Sequence, residues 1–369
     1  MPSINSTAAE LYGTYAEHLC SGIDGALHDK TTDLAACLRA DARRFAAYKA
    51  HYVETAVKNL LNDEKIPTEQ RQSNAERAMR LFHRWGQTER NYAVQSTQMA
   101  EKWQAFEHDG DRYLLQYRTA HDEKVRATHA ALHGVTLPPD DPFWNEYYPP
   151  LGWNCRCTVV QVRRGKYAES DSHATTAAGR QATAKTPSFR FNPGKQRKCF
   201  PDNVSYLKHA GANKKEREKA EIKCENMNKT ATIKKAVELL SDKIAECTIN
   251  NQQYKVEFIR RGIDHYCHDL SGKKNIYWIK NEVLPKIDKY LKEAEYVGRK
   301  ECDRGHNTNK ETLRLKKQTD YFYYFKIKLP NGENCYLHLG MYNEHKIGKQ
   351  GMLYLYSISK NAPNEMENQ

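Results

Sequence analysis

Three residues in the N-terminal half have side chains of the kinds that bind soft metal ions. They are His129 and the two cysteines of a Cys-x-Cys motif, Cys155 and Cys157. Thiolate and imidazole groups are ligands that zinc prefers, and Asp122 would complete a set of four around a structural zinc ion. The alternative is an Asp122–Arg126 ion pair, a hydrogen-bonded His129 and two small buried cysteines. Because Cys-x-Cys is tighter than the usual zinc-finger spacing, the sequence leaves both alternatives open.

A second cluster with metal-ligand spacing lies in the C-terminal half. His265, His268 and Asp269 follow one another closely, and His306 would add a third nitrogen donor. A metal-dependent nuclease would use such a cluster. The structural alternative makes His265 a helix-capping or core histidine, and it makes His338 a neighbour of tyrosines on an adjacent strand.

Charge and cysteine content limit the classes of protein. A formal net charge of +12 over 369 residues favours polyanionic partners such as DNA or RNA, and a lysine-rich surface that only aids solubility explains it equally well. No apolar run opens the chain, which predicts neither a signal peptide nor a membrane span. Ten scattered cysteines predict reduced thiols in a cytosol. A chain of this length predicts two domains.

Hydrophobic periodicity predicts three long helices at the start of the chain. They span residues 8–28, the stretch from Asp33 to residue 62, and the stretch from Ser73 to about residue 106. Asp33 is the predicted N-cap of the second helix, and Ser73 with Glu76 forms a capping-box signal for the third. A short strand is expected at 113–117.

The stretch 141–157 predicts an ordered loop that leads into a strand at 158–162. Its three prolines exclude a continuous helix, because each fixes its own φ and restricts the residue before it. Trp144 and Trp153 carry large apolar surfaces that an ordered loop would bury. We therefore expect an aromatic loop that closes a helical domain.

Three motifs in and before this loop resemble the phage Mu protein F family. They are YRTAHDEKVR at 117–126, HAALHGVTLP at 129–138 and PPLGWNCRC at 149–157. The resemblance covers residues 1 to about 210. His121 and His133 stand where the family pattern has Gly and Asp.

Members of this family are minor head, or head morphogenesis, proteins of tailed phages. The resemblance implies a minor capsid component that acts near the portal during head assembly, with portal and capsid proteins as partners. It also implies a place in the host cytoplasm during assembly, and then in the virion head beside packaged DNA.

The composition of the middle of the chain predicts a linker between two folded domains. Residues 168–187 are rich in Ser, Ala, Thr and Gln, which is typical of a linker. Residues 208–235 are dense in Lys and Glu, which predicts a solvated helix or hinge, with contact to packaged nucleic acid as the alternative. The predicted division is a head-morphogenesis domain at 1–167, a linker and basic hinge at 168–229 that includes a family-like tail at 189–209, and a C-terminal domain at 230–369.

The C-terminal domain is predicted to contain helices followed by an antiparallel sheet. Predicted strands lie at 254–259, 321–329, 334–339 and 352–359, and the Asn-Gly of residues 331–332 is typical of a hairpin turn. Helices and then an antiparallel sheet indicate an α+β domain. The fold class of the whole chain is therefore α+β, with a mainly helical N-terminal part.

The order of these elements resembles the phage-borne nuclease domains of the barnase/EndoU/colicin/RelE group. That resemblance implies a metal-independent ribonuclease without a cofactor, in which an RNA 2′-hydroxyl attacks the adjacent phosphate. His265 would be the first acid or base, and His306 or His338 would make the second proton transfer. Tyr356 or Ser357 would bond the phosphate or orient the base. The cations that hold the phosphate would be Arg260, Arg261 and Lys326.

A competing hypothesis involves no catalysis. In it the chain is a structural capsid protein whose basic C-terminal domain binds DNA or a capsid partner. Salt-sensitive binding to duplex DNA without cleavage would favour it.

Overall fold

The computed structural model of the chain describes residues 3–202, 206, 213–241, 243–263, 284–302, 317–329, 332, 334–343, 348–349, 351–359 and 361. The chain divides into two compact units, Met1–Asn228 and Lys229–Gln369. Helices dominate the first and a largely antiparallel sheet dominates the second, so the predicted α+β class is confirmed. The functional domain limits given above stay a prediction. No helix among the described residues is long and apolar enough to cross a bilayer.

Three helices open the first unit: α1 (Ala8–Ala26), α2 (Asp33–Leu61) and α3 (Thr68–Asp109). Each starts near the predicted place, but two start signals differ. Thr32, not Asp33, caps α2, because its hydroxyl accepts a hydrogen bond from the Ala35 amide at 3.1 Å. The third helix starts before the Ser73 capping-box signal, since nothing between Pro67 and Ser73 breaks a helix and Pro67 stands at its N-cap.

A buried ion pair joins α2 to α3. Lys49 Nζ lies 2.5 Å from Glu89 Oε2 and donates to the Phe82 carbonyl at 3.0 Å. The Tyr206 hydroxyl donates to the other Glu89 oxygen. Burial raises the pKa of Glu89 and lowers that of Lys49, while the charge of each partner opposes the shift of the other. Burial disfavours both charges, so each charged side chain depends on its partner to remain in the core.

A small sheet follows the helices, in the order β2-β1-β3. Its strands are β1 (Tyr113–Arg118), β2 (Thr136–Leu137) and β3 (Thr158–Arg163), and both pairings are antiparallel. One-turn helices α4 (Ala127–Ala130) and α5 (Phe143–Glu146) lie between the strands.

The aromatic loop is ordered and packs as predicted, apart from the single turn of α5. Trp144 and Tyr148 are fully buried, and the Pro149–Pro150 peptide bond is cis. The Trp144 indole donates to the Pro138 carbonyl at 2.9 Å, and Tyr148 donates to the Met99 carbonyl at 3.0 Å. Trp153 is half-buried against the rings of Tyr92 and Phe189.

The segment expected to be a linker instead packs on the first unit up to residue 202. It contains α6 (Ser172–Ala182) and α7 (Pro193–Gln196), and it buries Phe189, Phe191 and Phe200. Small residues in this segment allow close contacts, as two glycines show. A Cβ at Gly179 would lie 2.6 Å from the Tyr147 ring, and one at Gly194 would lie 2.3 Å from Trp103 Cβ. Small residues here permit close packing, whereas a composition rule counts them as flexible.

The boundary between the units falls within the long helix α8 (Lys214–Leu240). The second unit has a six-stranded sheet in the order β4-β5-β9-β8-β7-β6, antiparallel except for the β5–β9 pair. The remaining elements are β4 (Ile244–Ile249), β5 (Gln252–Glu257), α9 (Ile287–Lys292), β6 (Glu295–Glu301), β7 (Thr319–Lys328), β8 (Asn334–Tyr342) and β9 (Leu353–Ser359).

Two of these strands differ from the predicted pattern. The sequence predicted one strand at 254–259, but the structure has a hairpin of β4 and β5 with Asn250 and Asn251 at positive φ in its turn. Strand β6 was not predicted, because its charged residues interrupt the alternation of apolar and polar side chains that is typical of a strand. The β7–β8 hairpin is confirmed, and Gly332 has a φ of 83° in its turn.

Candidate functional sites

His129, Cys155 and Cys157 converge in the first unit. All three are buried, and their ligand atoms lie within 4.8 Å of one another. His129 Nδ1 is 3.7 Å from Cys155 Sγ and 3.8 Å from Cys157 Sγ. In the part of the chain that the structure describes, this is the only such group of three. The structure thus brings together the three residues that the sequence predicted as metal ligands.

Asp122 does not take the position that the sequence predicted. Residues 122–126 are not helical, since α4 begins only at Ala127, so the expected Asp122–Arg126 pair does not form. Instead, Arg156 binds both oxygens of Asp122, at 2.5 and 2.6 Å. This guanidinium holds the pKa of Asp122 at about 2. Arg126 donates to the Trp153 carbonyl at 2.7 Å.

The two thiols differ in acidity because each affects the other. Hydrogen bonding with Cys157 lowers the pKa of Cys155 well below that of a free thiol, against the effect of burial, and His129 adds to the shift. The same contact, together with burial, raises the pKa of Cys157. Sequence reasoning missed Tyr117, which is fully buried beside these thiols. Strand alternation would have placed it inside, but nothing in the motif pointed to its hydroxyl.

Several predicted residues of the second unit lie on one face of its sheet. His338 on β8 is directly opposite Ser357 on β9, and its Nε2 lies 2.8 Å from the Ser359 hydroxyl. Its ring also contacts Tyr324 edge-on at 4.7 Å between centroids. The pairing shifts after His338, so that Tyr356 is an extra residue in β9 and packs beside Phe322. The contact with Tyr324 on β7 confirms the structural alternative that made His338 a neighbour of tyrosines on an adjacent strand, whereas the contact with Ser359 was not predicted.

The Ser359 contact assigns the proton of the neutral imidazole. Ser359 donates its hydroxyl hydrogen to the Asn361 carbonyl at 2.7 Å, so the same oxygen accepts from His338 Nε2. Nδ1 is then the basic nitrogen of His338. This arrangement can accept or donate a proton on the face that carries Ser357 and Tyr356.

The predicted cations lie on elements other than β8, the strand that carries His338. Lys326 lies on the same strand as Tyr324 but pairs with Glu295 at 3.5 Å, which offsets its charge. Arg260 and Arg261 lie in a helical turn at 260–263 that follows β5, next to Gly262, whose backbone packs against the Leu355 carbonyl. The candidates His265, His268, Asp269 and His306 lie outside the described residues.

Comparison with known proteins gives a family match within the first unit. Residues 50–160 match the profile of the family described as Phage Mu protein F like protein. The chain is 39% identical over 75 residues to the Mu-like prophage FluMu F protein of Haemophilus influenzae, and 50% identical over 54 residues to the putative capsid assembly protein F of Escherichia phage Mu. We refer to residues 50–160, the segment that is similar to this family, as the Mu F-like domain.

The aligned segments are short. They cover 18% of this chain and 18% of the Haemophilus protein, and 15% of this chain and 12% of the phage Mu protein. An uncharacterized protein of Methanocaldococcus jannaschii is 48% identical over 48 residues, which is 13% of this chain and 7% of that protein. The chain thus matches less than a fifth of the length of each relative. No solved structure matches it.

The Mu F-like domain contains the whole His129, Cys155 and Cys157 cluster and both positions that depart from the family pattern. His121 and His133 touch each other, with their Nε2 atoms 2.8 Å apart. His121 has a φ of 53°, in the left-handed region that suits the glycine expected there. Burial and the neighbouring His121 lower the pKa of His133. The two residues that depart from the family pattern therefore contact each other.

Proposed function

We propose that this chain is a minor head protein of a tailed phage or prophage and acts in capsid assembly near the portal. The observation that carries the proposal is the match of residues 50–160 to the Mu F-like family. One relative is named as a putative capsid assembly protein. We place the chain in the host cytoplasm during assembly and in the virion head afterwards.

The structure of the Mu F-like domain agrees with a scaffold role. Its long helix α3 extends over 42 residues, and the aromatic loop buries its large side chains in a common core with β1 and β3. Such a unit offers a rigid surface on which portal and capsid proteins can assemble.

A pull-down tests this proposal. The full-length chain, tagged, is co-expressed with the portal and major capsid proteins of the phage that encodes it. We expect co-purification of the portal protein that survives nuclease treatment. Absence of both portal and capsid proteins from the eluate of a folded chain would contradict the proposal, and loss on nuclease treatment would point to DNA bridging.

We further propose that the C-terminal unit cleaves RNA without a metal. The β-bulge after His338, which leaves Tyr356 as an extra residue in β9, favours this function, because bulges of this kind are enriched beside active sites. His338 would transfer a proton, with Ser357 and Tyr356 beside it to bond the phosphate. Arg260, Arg261 and Lys326 would hold the phosphate, with His265 and His306 as the other candidates for proton transfer.

Cleavage by the full-length chain is measured on mixed-sequence RNA with and without EDTA. We expect cleavage in both conditions, and a loss of about 10²-fold or more in His338→Ala. His173→Ala is the matched control, since His173 is exposed on α6. Intact RNA, or equal cleavage by both variants, would contradict the proposal. Salt-sensitive duplex binding without cleavage would favour the structural alternative, in which this unit binds DNA.

A further inference from the structure

We propose that His129, Cys155 and Cys157 bind one zinc ion in the Mu F-like domain, with a water molecule as the fourth ligand. The ion would link α4 to the segment that precedes β3. Neither the head-assembly function nor the proposed ribonuclease requires this ion.

The spacing of the three ligand atoms fits a zinc ion. Zinc lies about 2.3 Å from thiolate sulfur and about 2.0–2.1 Å from imidazole nitrogen, so a tetrahedral site puts sulfur and nitrogen about 3.6 Å apart. The two observed distances are 3.7 and 3.8 Å. His129 Nδ1 is thus almost equally far from both sulfur atoms. A single N–H aligns well with one acceptor only, whereas an ion between three ligands requires near-equal distances.

The backbone around the cysteines holds both thiols in place. Asn154 has a φ of 59°, which turns the chain just before Cys155. The hydrogen bond from Arg126 to the Trp153 carbonyl holds the backbone just before this turn. The Arg156–Asp122 ion pair keeps the Arg156 side chain, which lies between the two cysteines in sequence, on the protein surface. Both sulfur atoms are therefore directed inward toward His129 before any ion binds. Pre-organised ligands of this kind lower the cost of binding.

A buried hydroxyl next to the cluster provides an independent indication. Tyr117 is fully buried, and its hydroxyl is directed at the Cys157 sulfur. A metal-bound thiolate accepts hydrogen bonds, so a Cys157 thiolate would satisfy this donor as an outer-shell partner.

The fourth position faces a small pocket at the surface. The pocket is lined by the three ligands and by Lys124, Val125, Arg126, Asn154 and Arg156. Asp122 does not supply the fourth ligand, because Arg156 occupies both of its oxygens. A water molecule or hydroxide fits this cationic rim, and the pocket provides the path by which the ion enters.

Metal analysis of the full-length chain tests the inference. The protein is purified without chelators, and its metal content is measured by inductively coupled plasma mass spectrometry. We expect about one zinc ion per chain. X-ray absorption should show two sulfur neighbours at about 2.3 Å and two nitrogen or oxygen neighbours at about 2.0–2.1 Å. This measurement uses the wild-type chain, so it does not depend on whether a variant folds.

Matched variants identify the ligands. Cys155→Ser and His129→Ala should reduce bound zinc at least tenfold, whereas Cys37→Ser, at a buried cysteine of α2, and His133→Ala should retain it. A folded wild-type chain that takes up no zinc when the ion is added would overturn the inference. So would equal zinc in Cys155→Ser and Cys37→Ser, or copper or iron in place of zinc in the absorption spectrum.

Discussion

Glu89→Ala is expected to lower the free energy of unfolding by about 3–5 kcal/mol. The substitution leaves the Lys49 ammonium fully buried, with the Phe82 carbonyl and the face of the Tyr15 ring as its remaining neighbours. A buried charge without its counter-ion is among the most destabilising changes in a folded protein. Urea denaturation followed by tryptophan fluorescence measures the loss.

An exposed ion pair and a double variant serve as controls. Glu218→Ala removes the partner of Lys214, but both side chains are largely exposed and 3.9 Å apart, so we expect a change within about 0.5 kcal/mol. Lys49→Met combined with Glu89→Leu should recover most of the stability, since it removes both charges. Equal losses for Glu89→Ala and Glu218→Ala would show that the buried pair does not stabilise the fold as described.

Trp144→Ala is expected to destabilise the Mu F-like domain by about 3–5 kcal/mol, the usual cost of truncating a buried tryptophan. Trp144 is fully buried, and its indole N–H bonds the Pro138 carbonyl at 2.9 Å. Its own carbonyl accepts a bond from the buried Asn192 side chain at 3.0 Å, so the loss would extend to the segment that carries α7.

Trp85→Ala is the matched control for this prediction. Trp85 lies on α3 with 38% of its surface exposed, and we expect its removal to cost about 1 kcal/mol or less. Thermal unfolding monitored by circular dichroism compares the two variants. If Trp144→Ala unfolds within a degree of wild type, the aromatic loop does not support the domain.

The first unit was largely predictable because its signals are local. The apolar spacing of α1, α2 and α3 follows one helical face, and the prolines and tryptophans of residues 141–157 indicated an ordered loop. Start positions were less accurate, since Thr32 and Asp33 are both good caps and only the backbone decides between them. Residues 168–187 were predicted to be a linker from their Ser, Ala, Thr and Gln content, but they contain α6, because small residues such as Gly179 permit close packing.

Site prediction succeeded where residue type carried the signal and failed where the pairing of side chains in the fold decided the contact. The soft ligand types of His129, Cys155 and Cys157 predicted a cluster that the structure brings together. The partner of Asp122 was predicted wrongly, because helical spacing favoured Arg126 where the fold brings Arg156. In the second unit, the contact of His338 with Ser359 depends on the β8–β9 register, which no sequence motif encodes.

Counting DNA-filled heads after induction is the most direct test of the proposed role in head assembly. The gene is deleted from the encoding phage or prophage, and the full-length chain or its Trp85→Ala variant is supplied in trans. We predict that deletion reduces DNA-filled heads in electron micrographs by at least about tenfold, and that both supplied chains restore them. An unchanged yield of DNA-filled heads in the deletion strain would contradict the account.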